Sequence, residues 1–283
     1  MDSTPRVLYY AIGGGLGHLV RAGRFLRAQD LADKALILSA CEHADDARLN
    51  SGVAVRRVPK ALRHDLAALR AWLAGAVEQF EPDIVCVDCF PAGILGELAE
   101  VTALRGRRLW HVARLLRWNE YAPLATRSPR FELAWQLEPL QPEHEQWLRE
   151  HADGIRAAPI EIPVAPPQRL GDGRPYWLVA HSGPAEEVRE LIDYALELRR
   201  LENTEVAIVV ASFDPPQPLP DHCLCIDAAP LAGWHAGAQR IFGAAGFNFV
   251  AETGAFREKR TVLPFPRRYD DQFERARRAR TAL

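Results

Sequence analysis

The chain has no surplus of positive charge. Its 35 lysines and arginines stand against 37 aspartates and glutamates, a formal net charge of −2. A basic field that would hold a nucleic-acid backbone is therefore excluded. There is no apolar run approaching ~18 residues, so nothing reads as membrane-spanning and at most a peripheral membrane contact is expected. The start, Met-Asp-Ser-Thr-Pro, is polar, and apolar residues begin only at 7–12. It lacks the basic start and long apolar core of a secretory signal. Cysteine is scarce and odd in number, at five. No disulfide framework follows from that, and a reduced, cytoplasmic compartment is expected. What remains is ordinary globular composition, 48% hydrophobic and 25% charged over 283 residues, a length that favours two domains.

Two motifs are absent where they might be sought. Residues 6–12 form a β-rich run followed by Gly13-Gly14-Gly15-Leu16-Gly17-His18. Strand, glycine loop and helix is a general arrangement for close ligand approach or anion binding. The glycine spacing is not that of a dinucleotide fingerprint, because position 18 is His, although Glu42 could pass for a ribose-binding acid. No Gly-Lys-Ser/Thr follows, so it is not a P-loop. Neither a cofactor nor a metal is expected. Cys86-x-x-Cys89 would need a second ligand pair to hold zinc, and Cys223-x-Cys225 has the wrong spacing. The alternation of a strand over 84–87 sends Cys86 and Cys89 to opposite faces, so both read as buried structural thiols.

The pattern along the chain alternates strand and helix. Strands are expected at 35–40, 53–58, 84–87, 107–112 and 131–137. Helices are expected at 19–32, 62–80 and 143–151, that over 62–80 having the cleanest apolar face. Asp88 stands at the end of the 84–87 strand, either with a functional partner, or as the cap of a helix beginning near Ala92 or bound to loop backbone. Residues 105–118 are rich in Arg and Trp. They read as a strand and loop with solvated arginines, with a lipid-linked acceptor or anionic membrane face as the alternative. Prolines 159, 163, 166, 167 and 175 then mark a linker.

Past the linker the plan of the first half returns without a sequence repeat. A strand at 176–180 leads into His181-Ser182-Gly183-Pro184 and a helix to 201. Ser182 and Gly183 amides could hold a phosphate. Strands follow at 205–212, 222–226, 241–244 and 261–265, with a small-residue helix or turn at 232–238. Gly246 and Asn248 open a helix over 247–256, and Asp270 and Asp271 open the last one. The strand ends and helix starts of this region face one side, which is where open α/β sheets bind ligands.

Residues 241–280 resemble the C-terminal donor-binding segment of GT-B glycosyltransferases. That fold is shared by UDP-glycosyltransferases and the bacterial enzyme that adds N-acetylglucosamine to lipid-linked muramoyl-peptide. The matching residues are Gly246, Asn248, Glu252, Val262 to Pro264 and Asp271-Gln272. The Gly-rich loop ending in His18 resembles the first loop of the same enzymes, and Asp88 resembles their Asp that orients the catalytic His. The resemblance implies an α/β protein of two Rossmann-like parallel-sheet domains facing a cleft. It implies an N-terminal acceptor-side domain at 1–160, a linker at 161–175 and a C-terminal nucleotide-sugar domain at 176–283.

The activity it implies is inverting, metal-independent transfer of a sugar from a nucleotide-sugar donor, a UDP-sugar by family habit, to a hydroxyl acceptor. That acceptor, lipid-linked or a small molecule, is not readable. His18 would be the base and Asp88 its orienter. Gly15, Gly17, Ser182, Gly183, Gly246, Asn248, Glu252, Arg268, Asp271 and Gln272 would bind donor, Glu252 at the ribose and Asp271-Gln272 at the sugar hydroxyls. Arg267 or Arg268 would help with the diphosphate. Three features depart from the family. Ala244 stands where many members have a diphosphate-contacting His, Phe249 replaces a hydroxyl residue, and little sequence remains for a helix crossing back to the first domain. They keep open a non-catalytic nucleotide-sugar-binding or partner protein. A GT-B sugar-nucleotide epimerase is a further alternative, and an oxidoreductase is disfavoured by His18.

Overall fold

The computed structural model describes residues 4–158, 160–227 and 229–281. Pro159 of the proline-rich stretch and the first three residues of the polar start lie outside the described residues. The chain divides into two compact units. One is Met1–Glu161 with Arg268–Asp270, and the other is Ile162–Arg267 with Asp271–Leu283.

The first unit is built in chain order from β1 (Val7–Ala11), α1 (Leu16–Ala28), β2 (Ala35–Ser39), β3 (Ala54–Arg57), α2 (Leu66–Phe80), β4 (Ile84–Asp88), β5 (Arg108–Ala113), α3 (Trp118–Ala125), β6 (Phe131–Gln136), α4 (Pro142–His151) and β7 (Ala152–Ala157). Its described strands form one parallel sheet in the order β3-β2-β1-β4-β5-β6-β7. The central strands β1, β2 and β4 are buried along their whole length, as unbroken apolar runs in a parallel sheet require. The sheet reverses direction of growth between β1 and β4. In open α/β sheets ligands bind at the strands' C-terminal ends beside such a switch point.

The second unit comprises β8 (Tyr176–Ala180), α5 (Ala185–Leu201), β9 (Ala207–Ala211), β10 (Cys223–Ile226), α6 (Ala232–Gly237), β11 (Arg240–Ala244), α7 (Phe247–Glu252), β12 (Arg260–Leu263) and α8 (Gln272–Thr281). Its described strands form a parallel sheet ordered β10-β9-β8-β11-β12, with the switch point between β8 and β11. Apolar clusters cover both faces. One gathers Trp177, Val179 and Phe242 under α5, and the other gathers Tyr176, Leu178 and Ile241.

Several elements differ from the sequence expectation. The helix expected over 62–80 starts at Leu66, because the Asp65 side chain accepts from Ala68 N at 3.0 Å and caps it. The turn Lys60–Leu62 before it is a 3-10 helix. Helix α1 begins at Leu16, three residues earlier than its apolar spacing suggests, which places His18 inside its first turn. The helix expected over 247–256 stops at Glu252 and continues as a 3-10 segment, Gly254–Lys259, with Phe256 off helical geometry. No helix begins near Ala92, so Asp88 is not a helix cap. Helix α3 and strand β7 have no counterpart in the sequence reading. The first carries Pro123 in its interior, and the second is a polar edge strand with Gly154 at its centre.

The arginines of residues 105–118 are not simply solvated. Arg114 is 5% exposed and paired with Asp270, Arg108 is paired with Glu132 at 2.7 Å, and Arg107 donates to the Pro82 carbonyl at 3.0 Å. Within 161–175, Gln168 N donates to the Gly233 carbonyl at 2.8 Å and Leu170 lies against the second unit's core, so part of this stretch is anchored. No helix among the described residues is long and apolar enough to cross a membrane.

Candidate active site

His18 and Asp88 come from different strands' ends and meet at the switch point of the first sheet. Asp88 closes β4, and His18 follows the glycine loop after β1. Because β1 and β4 are paired in register, their ends lie side by side. His18 Nδ1 is 2.5 Å from Asp88 Oδ2. The carboxylate only accepts, so the proton of this bond sits on Nδ1 and the Nε2 lone pair is an acceptor.

Three groups fill the Asp88 carboxylate. Besides His18, the Tyr9 hydroxyl donates to Oδ1 at 2.9 Å, and Arg21 donates through Nε to Oδ1 at 2.9 Å and through Nη2 to Oδ2 at 2.5 Å. Burial alone would push the Asp88 carboxyl up, but Arg21 and His18 outweigh it and hold the group far below the usual carboxylate range. His18 is pulled below its ordinary value, chiefly by burial. Asp88 opposes that shift, and Arg21 and Arg114 add to it. At neutral pH the arrangement is thus a carboxylate, a guanidinium and a neutral imidazole.

The glycines divide into one that is needed and several that leave space. A Cβ on Gly13 would fall on the His18 ring at Nε2 and Cδ2. Gly14 and Gly15 have nothing near a Cβ and are exposed, so the loop is open beside the imidazole. Of the two glycines expected to contact donor here, Gly15 is the N-cap of α1 and Gly17 lies within its first turn. Behind His18 stands an aromatic wall. Phe90 is 5.6 Å from its ring centroid, and Tyr121 and Tyr269 are 5.6 and 5.8 Å from Phe90.

Cys86 and Cys89 are free and buried, and burial pushes both thiols up, Cys89 to about 11. Among the described residues no group of three or more His, Cys, Asp and Glu is placed to hold a metal ion.

In the second unit the loops after β8 and β11 leave neighbouring paired strands, which brings Ser182 and Gly183 beside Gly246 in the sheet topology. The loop after β8 holds a cluster that the sequence did not announce. His181 Nε2 lies 2.7 Å from Glu187 Oε2, and Arg267 holds both Glu187 oxygens at 2.5 Å. Gly183 lies over this pair, where a Cβ would meet His181. Arg267, expected near a diphosphate, is thus engaged by an internal carboxylate.

Asn248 and Glu252 both lie on α7, Glu252 as its last residue, and Gly246 is its N-cap. Asp271 caps α8 by accepting from Glu274 N at 3.0 Å. Gln272 is 4% exposed, and its Oε1 accepts from Phe265 N at 3.0 Å. Arg268 is exposed, lies 4.7 Å over the Tyr269 ring and groups with the first unit, not with the donor-side residues. Phe249 fills the space over Gly243, whose missing Cβ it requires. A residue of this cluster that the sequence reading missed is Arg21, which pairs with Asp88. Its only signal was a charge on the buried stripe of α1, between Leu19 and Ala22.

Neither a family model nor a curated protein sequence matches the chain. Solved structures do. The glycosyltransferase SsfS6 of Streptomyces sp. SF2575, complexed with thymidine diphosphate, is 15% identical with a TM-score of 0.62, over 98% of this chain and 86% of that one. The glycosyltransferase SnogD of Streptomyces nogalater is 15% identical with a TM-score of 0.59, over 99% and 84%. A UDP-GlcNAc 2-epimerase of Neisseria meningitidis, bound to UDP-GlcNAc, is 13% identical with a TM-score of 0.57, over 92% and 82%. Two parallel-sheet α/β units and these likenesses together give the chain the GT-B glycosyltransferase fold, which the epimerase also carries.

Proposed function

We propose that the protein is an inverting, metal-independent glycosyltransferase that moves a sugar from a nucleoside-diphosphate sugar to a hydroxyl acceptor. The observation that carries this reading is the buried His18–Asp88 pair at the switch point between β1 and β4. In the reaction the acceptor oxygen forms a bond to the anomeric carbon as the bond from that carbon to the diphosphate oxygen breaks. The acceptor's proton passes to His18 Nε2, and the nucleoside diphosphate leaves with the bonding electron pair. Attack from the face opposite the leaving group inverts the anomeric centre. Asp88 steadies the imidazolium and fixes its tautomer.

Donor binding falls in this reading to the second unit. Ser182, Gly183, Gly246 and Asn248 lie at its switch point, Glu252 takes the ribose diol, and Asp271 and Gln272 take sugar hydroxyls. These last two already anchor backbone, so the role falls to the hydrogen-bonding capacity that remains on them. Gly15 and Gly17 border the transferred sugar in the first unit, and Arg268 supplies an exposed cation. UDP- and dTDP-sugars are the donors to try, since structures of this fold hold UDP-GlcNAc and thymidine diphosphate. The epimerase bound to UDP-GlcNAc favours a second reading, sugar-nucleotide epimerisation.

Donor sugars are screened by thermal shift, and hits are incubated with and without candidate acceptors. Release of nucleoside diphosphate with a glycosylated product supports transfer, and a changed donor sugar without release supports epimerisation. His18→Ala is expected to lower turnover by ~10²–10⁴ while leaving donor binding intact. Unchanged turnover would remove His18 as the base.

A further inference from the structure

Arg21 is 2% exposed and sits on the face of α1 that otherwise carries Leu19, Ala22, Phe25 and Leu26. A guanidinium there is costly unless its partners are well placed, and an apolar side chain would suit the position better on packing grounds alone. Its partners are well placed. Nε and Nη2 take one carboxylate oxygen each of Asp88, at 2.9 and 2.5 Å, and Nη2 is also 3.1 Å from His18 Nδ1.

We propose that Arg21 is a positioning residue for proton transfer at His18: its fork locks the Asp88 carboxylate in one orientation and sets a permanent cation beside the imidazole. Two consequences follow from the geometry. Oδ1 is shared by Tyr9 and Arg21 and Oδ2 by His18 and Arg21, so the carboxylate cannot turn without breaking a buried hydrogen bond. His18 is therefore held with Nδ1 as donor and Nε2 as acceptor. The cation of Arg21 and the anion of Asp88 also largely cancel at the ring. Burial is the larger cause that lowers His18, and with Arg21 present the imidazolium formed on proton abstraction gains less than a lone carboxylate would give it, so His18 stays proton-free into mildly acidic solution and returns its proton readily.

The other groups around the pair do not restore that balance. Tyr9 from β1, Cys86 from β4 and Cys89 just after it are buried and neutral, their ionisation opposed first by burial. Arg114, after β5, is paired with Asp270 and adds to the lowering of His18 as the last of its causes.

The inference rests on His18 as the proton acceptor of the proposed transfer, but its readout is separate from turnover. In nitrogen-15-labelled protein the His18 ring signals, assigned with His18→Gln, are followed against pH. The wild type is expected to show the Nδ1–H tautomer and a midpoint below the ordinary value of about 6.5. Arg21→Gln is expected to raise the midpoint by about one unit or more with the circular-dichroism spectrum unchanged. Arg21→Gln/Asp88→Asn leaves no lone buried charge, and cancellation predicts a midpoint within about one unit of wild type. A wild-type midpoint at or above about 6.5, a smaller rise in folded Arg21→Gln, or a larger shift in the double variant overturns the proposal. If Arg21→Gln does not fold, the wild type and the double variant decide. A protein that shows these shifts but transfers no sugar would sink the transferase reading and leave this one standing.

Discussion

Gly13 decides where the His18 ring can be. It is buried, and a side chain there would occupy the place of Nε2 and Cδ2. Gly13→Ala is expected to turn the imidazole off Asp88 and cover its accepting nitrogen, costing at least ~10²-fold in turnover. A kinetic assay beside a melting curve checks this, and wild-type rates in the alanine variant would show that Nε2 is not the reacting atom. The glycine-rich loop, His18 and Asp88 were legible because strand, loop and polar residue stood in sequence order. Arg21 was not. A buried cation on an apolar stripe looks the same in sequence as one that reaches its head group to water, and only the carboxylate arriving from β4, far along the chain, tells them apart.

The third and fourth helices hold an acid-sensitive contact. Trp118 on α3 and His144 on α4 stack with centroids 4.0 Å apart and planes 7° apart, and among the described residues neither His144 nitrogen has a hydrogen-bond partner. Burial pulls His144 down to about 3, with nearby His111 adding to it, and burial pulls His111 to about 4. Both ordinary values lie near 6.5, so the unfolded chain binds these protons first as pH falls. This contribution to the stability of the first unit is therefore complete above about pH 6.5 and falls toward the folded-state values, by up to about 1.4 kcal/mol per pH unit for each histidine. His144→Phe keeps the stack and removes one titration. It is expected to flatten the fall of the denaturant midpoint between about pH 6.5 and 4.5, read by tryptophan fluorescence. An unchanged slope would mean that His144 is not buried in its neutral form. Element by element, the central strands were legible as unbroken apolar runs. Edge strand β7 was not, because its exposed polar residues and Gly154 give neither an apolar run nor alternation, and its register comes from β6 alone. Helix α3 was hidden by Pro123, by Trp118, whose ring partners His144 and Trp147 lie on α4, and by Tyr121, whose ring partners include the distant Phe90 and Tyr269.

For the whole molecule, the two-sheet plan could be read because both halves open with strand, glycine turn and helix, and prolines interrupt the pattern between them. The assignment of Arg268–Asp270 to the first unit could not be read, because it depends on long-range partners. Tyr269 lies in the aromatic wall behind His18, its carbonyl accepts from Arg117 N at 2.7 Å, and Asp270 neutralises the buried Arg114. Asp270→Ala is expected to destabilise the first unit by on the order of 3 kcal/mol by leaving Arg114 without its counter-charge, and urea unfolding would measure it. A loss below about 0.5 kcal/mol would mean that the pair is open to solvent and weak.

Because those three residues are supplied from so late in the chain, no single cut divides this protein into two finished halves. During synthesis the front half would emerge with a gap in its wall and an unbalanced cation, and both would be made good only once residues 268–270 had been translated. The order in which the ribosome delivers the chain and the order in which the fold can be completed are thus different, and the unit that carries His18 and Asp88 is the part that has to wait.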